Sequence, residues 1–118
     1  MKAIEKVKDD QITKTIVDRN YAEFLFLVDR NLEGREYFSK SISALEKMGG
    51  SDLKYDQLGI TYQRWGLNEL WKGDTTEADK YFEKAAKEYH NIRTEYIKTD
   101  ALNDLHNKTK GKWGEKFT

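Results

Sequence analysis

The side chains that carry most protein chemistry are scarce in this chain of 118 residues. It has no cysteine and two histidines, His90 and His106, well apart and outside any His-Glu-x-x-His pattern. That leaves no thiolate nucleophile, no zinc-binding spacing and no histidine-based triad. Gly49-Gly50-Ser51 lacks both the Lys-Ser/Thr pair and the preceding strand of a phosphate loop, so it reads as a turn. Carboxylates are plentiful, but on charged helices they form solvated faces or weak ion pairs. Glu69 differs in falling on the angular side of Tyr62 and Trp65. It is either the exposed end of that stripe, which is the expectation, or a partly buried acid that Tyr62 or an arginine must meet. The chain is expected to be no enzyme and to hold no metal and no cofactor.

Binding chemistry is better represented. The segment 108–118 combines lysines with aromatics, and Lys110, Lys112, Trp113 and Phe117 are its candidate contacts. Such a mixture can grip single-stranded nucleic acid, dock on a protein, or fold back so that Trp113 covers the last helix. Fold-back is preferred and nucleic acid is disfavoured. With 21 basic and 21 acidic residues the formal net charge is zero, so no overall field draws a polyanion or an acidic membrane. The absence of cysteine fits a reducing, cytoplasmic setting. The longest apolar run, Phe24 to Val28, is far short of the ~20 residues of a spanning helix. The N-terminus has no apolar stretch of the secretory kind, so the mature chain is expected to begin there.

The elements that position these groups read as helices throughout. Proline, which breaks helices, is absent. Glycines punctuate instead, at Gly34, Gly49-Gly50, Gly73, Gly111 and Gly114. The first block, about Lys2 to Leu32, has Ile4, Val7, Ile12, Ile16, Tyr21, Phe24, Leu25, Val28 and Leu32 at helical spacing, with a break preferred near Asp18. The second, Arg35 to Met48, sets Phe38, Ile42, Leu45 and Met48 on one face and ends at Gly49-Gly50 in an expected left-handed cap.

Block three starts at Ser51 or Asp52 and runs to Lys72 with two apolar faces. Tyr55, Leu58, Tyr62 and Trp65 lie on one; Leu53, Ile60, Leu67 and Trp71 lie on the other. Such a helix is either sandwiched or presents one face to a partner, and the sandwich is preferred. Block four opens on Asp74-Thr75-Thr76-Glu77, a capping box, and carries Ala78, Phe82, Ala85, Tyr89, Ile92 and Tyr96 in one stripe. Ala101, Leu102 and Leu105 suggest a short last helix. No segment alternates with period two, so no sheet is expected. The organisation expected is a single helical domain over 1–107 and a tail over 108–118.

Tyr62, Gly66, Gly73-Asp74, Ala78, Phe82 and Ala85 together resemble a tetratricopeptide (TPR) repeat. Leu58-Gly59-Ile60-Thr61-Tyr62 also matches that family's Leu-Gly-x-x-Tyr signature, seven residues upstream of the register set by Ala78, where Trp65-Gly66 take the Leu-Gly places. Seven residues are close to two turns, so both registers point to one core stripe. Ala22, Gly34, Phe38 and Ser41 form a degenerate second copy 44 residues earlier, longer than the family's 34-residue period. The resemblance implies a four- or five-helix antiparallel hairpin array acting as a non-catalytic, protein-binding adaptor or inhibitor. It also implies a ligand-facing surface on the first helix of the hairpin, formed by Gln63, Leu67, Leu70 and Trp71, with Trp71 the anchor. Small size and the lack of catalytic parts suit a microbial or phage immunity or counter-defence protein. The alternatives are a homodimer or larger homo-oligomer paired through the second stripe of block three, and a single-stranded nucleic-acid binder using the tail.

Overall fold

The computed structural model describes the backbone of residues 2–115 and the side chains of residues 11–115. These residues form five α-helices and no strand: α1 (Lys2–Leu27), α2 (Asn31–Glu46), α3 (Asp52–Trp71), α4 (Thr75–His90) and α5 (Glu95–Lys108). The chain divides into two compact units, one ending at Met48 and the other beginning at Gly49.

In the first unit α1 and α2 make an antiparallel hairpin. The break preferred near Asp18 does not occur; α1 is one helix of 26 residues. Through this stretch Arg19 and Thr15 lie on the core side with Ala22, Leu25 and Phe26, and Ser41 of α2 donates to the carbonyl of buried Thr15 at 3.1 Å. Tyr21, Phe24, Val28 and Leu32, expected inside, are exposed. α2 buries Phe38, Ile42 and Leu45, with Met48 buried just beyond it, as their spacing requires. Gly34 does not end a helix but lies within α2, where a Cβ would come 2.5 Å from Cδ1 of Phe26 and 3.0 Å from the carbonyl oxygen of Ala22. Neither Gly49 nor Gly50 is left-handed. α2 passes instead into Lys47 in right-handed geometry.

In the second unit α3 and α4 make the other antiparallel hairpin, and α5 packs on α4. Ser51 caps α3 by accepting from the amide of Lys54 at 3.2 Å. Asp74 caps α4 by accepting from Glu77 at 3.0 Å, whereas the Glu77 carboxylate turns down the helix toward Tyr81 and Lys80 rather than closing the box. Two glycines of α3 receive two rings of α4. A Cβ on Gly66 would come 2.6 Å from Phe82, and one on Gly59 would come 2.2 Å from Tyr89. Ala78 and Ala85 are fully buried on the same α4 stripe. Both upstream registers therefore look onto α4.

The stripe of α4 ends sooner than its spacing suggests. The helix stops at His90, Ile92 is buried in the following loop, and Tyr96 belongs to α5 with 71% of its surface exposed. The cause is Asp52 in the first turn of α3. Its carboxylate accepts from the amides of Arg93 at 2.7 Å and Thr94 at 3.1 Å and from the Thr94 hydroxyl. Those bonds hold its carboxyl below the usual carboxylate range, the Thr94 hydroxyl contributing most. α5 is consequently longer than expected and buries Leu102 and Leu105.

Candidate binding surface

Of the two apolar faces of α3, α4 covers one. Tyr62 and Trp65 are buried there, and the Trp65 ring stacks on Tyr81 with centroids 4.0 Å apart. Glu69 lies on this covered side and is fully buried, contrary to the exposed position expected of it. The indole of Trp65, one helical turn earlier, donates to its Oε2 at 3.1 Å. That bond pairs a buried indole N–H with a buried carboxylate oxygen.

The opposite face carries the four candidate contacts, and the structure separates them. Gln63 is buried, with both ends of its amide committed: Oε1 accepts from the Tyr89 hydroxyl at 2.8 Å and Nε2 donates to Asp104 at 2.9 Å. It ties α3 to α4 and α5 and has little left to offer a ligand. Leu67 is half-buried. Leu70 and Trp71 stand open at the C-terminal end of α3, 42% and 59% exposed, with the Lys72 ammonium 4.5 Å from the Trp71 ring centroid. Leu53, at the other end of the helix, is also exposed. Ile60 lies between these ends, beside Ile97 and Ala101 of α5 around a cavity of about 280 Å³. The second face is thus partly sandwiched and partly open.

Residues 109–115 fold back along α5 and α4 instead of trailing away. After α5 the chain turns at Lys110 and Gly111, both at positive φ. The Thr109 hydroxyl accepts from the amide of Trp113 at 3.0 Å, and the amide of Glu115 donates to the Leu102 carbonyl at 3.2 Å. Asp79 of α4 anchors the fold: it accepts from the Trp113 indole at 3.1 Å and pairs with the Lys112 ammonium. Lys112 foremost, then Trp113, holds the Asp79 carboxyl below its ordinary range. His90 lies 3.1 Å from a carboxylate oxygen of Glu115.

This geometry brings Leu70 together with three of the tail positions. Leu70, Phe82, Lys110, Lys112 and Trp113 all line one cavity of about 290 Å³. Phe117 lies outside the described residues. No spacing rule tied residue 70 to residue 113, because the meeting depends on a turn after α5 and on an aspartate in α4. Among the described residues no group of three or more His, Asp or Glu side chains could hold a metal ion, and no helix is long and apolar enough to cross a membrane. Comparison with protein-family models, curated proteins and solved structures finds no match to this chain.

Proposed function

We propose that the chain is a non-catalytic protein-binding module, an adaptor or inhibitor, whose second hairpin is TPR-like and whose contact surface is the open end of α3. The observation that carries this reading is Trp71, a large ring more than half exposed beside exposed Leu70. Partly exposed tryptophans next to aliphatic side chains are the residues that dominate protein interfaces once a partner covers them. The adjoining cavity adds apolar walls from Phe82 and Trp113, which suit an apolar side chain, while Asp79 in the same lining already pairs with Lys112. The absence of cysteine supports a cytoplasmic setting. A nucleic-acid role for the tail draws less support, because the indole of Trp113 and the ammonium of Lys112 are both engaged with Asp79.

Trp71→Ala tests the reading. Trp71 is exposed, so the variant should keep its helicity and lose no more than ~0.5 kcal/mol of stability. Retention of the partner that the wild-type chain captures from its native host should fall at least tenfold, as expected of an interface anchor. Undiminished retention refutes the assignment, and loss of helicity reassigns Trp71 to the packing of the unit.

A further inference from the structure

The first unit bears an apolar surface that the candidate site does not use. Along α1 and into Val28, whose amide continues the helical bonding by donating to Phe24, the residues Val17, Tyr21, Phe24 and Val28 recur at spacings of four, three and four, within an arc of about 60° in helical geometry. Leu27 and Leu32 widen the patch at one end. The six side chains are exposed by between 40% for Tyr21 and 76% for Leu32. No charged residue falls inside the arc between Val17 and Val28. Monomeric proteins rarely leave such a stripe open to water.

We infer that this stripe is the self-association interface of the protein, pairing α1 antiparallel with α1 of a second copy about a two-fold axis. An isologous interface must complement itself, so its pattern must read alike in both directions. The stripe does: valine, aromatic, aromatic, valine, with symmetric spacings. About an axis level with the midpoint of Ala22 and Glu23, Val17 faces Val28 of the second copy and Tyr21 faces Phe24. The antiparallel sense also sets Lys14, at one end of the stripe, toward Asp29 at the other, where a parallel pairing would oppose Lys14 to itself.

The aromatic centre is already organised. Tyr21 stacks on Phe24 with centroids 6.2 Å apart and meets the Tyr37 ring edge-on at 4.7 Å, so little rotamer freedom remains to be lost on pairing. Six roughly half-exposed side chains of this size offer about 550 Å² per copy, hence about 1,100 Å² in the pair, near the lower edge of specific interfaces. An area at that edge is typical of weak, reversible association.

The test uses the full chain. Sedimentation equilibrium from roughly 5 to 500 micromolar should show a monomer–dimer equilibrium, and Phe24→Glu should raise Kd at least a hundredfold while circular dichroism shows unchanged helicity. Tyr21→Lys gives the same readout if Phe24→Glu fails to fold. Trp71→Ala should leave the equilibrium unchanged, so failure of the α3 surface and failure of this one are separately visible. Because the chain has no cysteine, Val17→Cys and Val28→Cys can each be made in a clean background. Their equimolar mixture should form a disulfide-linked pair about tenfold faster than either variant alone. Equal rates overturn the antiparallel register. A chain that stays monomeric over the whole range overturns the proposal, as does one that stays monomeric and binds phosphatidylcholine–phosphatidylglycerol vesicles through Phe24.

Discussion

The two hairpins solve one packing problem with their parts exchanged. In the second hairpin the glycines Gly59 and Gly66 are on the leading helix and the rings Phe82 and Tyr89 on the returning one. In the first, the leading helix supplies the ring, Phe26, and the returning helix supplies the glycine, Gly34. A missing Cβ admits an aromatic ring against the backbone in both, so what close approach requires is the pair, not its order. Their turns differ in quality rather than in kind. Each leading helix closes with the same two bonds: from Arg30 to Leu25 at 2.8 Å and from Asp29 to Phe26 at 3.2 Å in one, and from Asp74 to Glu69 and from Gly73 to Leu70, both at 2.9 Å, in the other. This is the Schellman arrangement, with its central residue left-handed. The second hairpin puts Gly73 there, with a capping aspartate next; the first puts Asp29 there at φ 63°, followed by Arg30, which makes no side-chain cap. The second hairpin thus agrees with local preference where the first works against it.

Filling the notches should move stability most. Alanine at Gly59 or Gly66 would normally favour a helix by ~1 kcal/mol, but overpacking against a buried ring should reverse the sign and cost about 3 kcal/mol net at Gly59, somewhat less at Gly66. Gly34→Ala should cost about 2 kcal/mol in urea denaturation; a gain of ~1 kcal/mol there would show that the first hairpin has no true notch and would end the comparison. Giving the first turn the chemistry of the second comes next. Asp29→Gly with Arg30→Asp removes a left-handed side chain and supplies a cap ahead of Glu33, and should add about 1–2 kcal/mol. No change in the denaturation midpoint would mean that the two turns are already equivalent.

The smallest effect isolates the third layer, which the first unit lacks. Because the Asp79 carboxyl titrates below its ordinary value of 3.8, its contribution to holding Trp113 is fully present above that value and is lost as pH falls beneath it toward the lowered one. Trp113, followed by fluorescence in a Trp65→Phe, Trp71→Phe background, should leave its docked environment in that acid window, and Asp79→Asn should abolish the transition. A transition unaltered by Asp79→Asn would detach the tail from α4.

What could be read from residue order alone tracks how local the cause is. The start of α4 at Asp74 and the all-helical class depend on neighbours a few positions apart and are legible, and the cap of α3 is legible to within Ser51 or Asp52. The face of α1 is not. Ala22, Leu25 and Phe26 face inward while Tyr21, Phe24 and Leu27 beside them face out, and the Phe26 ring lies against Gly34 of α2. Periodicity does not show which of two equal rings meets a glycine on another helix. The burial of Glu69 is illegible for a related reason, since its indole partner, Trp65 one turn earlier, reads in the sequence as an apolar residue. The meeting of Leu70 with Trp113 and the break after His90 both depend on aspartates distant in sequence, Asp79 and Asp52.

The two notches of α3 lie seven residues apart, and so do the rings that fill them. A sliding of α4 by two turns, about 10 Å, would therefore seat Tyr89 where Phe82 belongs and still look half-correct to a refolding chain. Were α4 continuous to Tyr96, that residue, seven beyond Tyr89, would fill the other notch and the slipped state would rival the native one. The bonds that Asp52 accepts from the amides of Arg93 and Thr94 end the ladder one ring short. A misaligned hairpin would be left with an empty notch, and the contact of Asp52 with Arg93 and Thr94 lies where the ladder of rings stops.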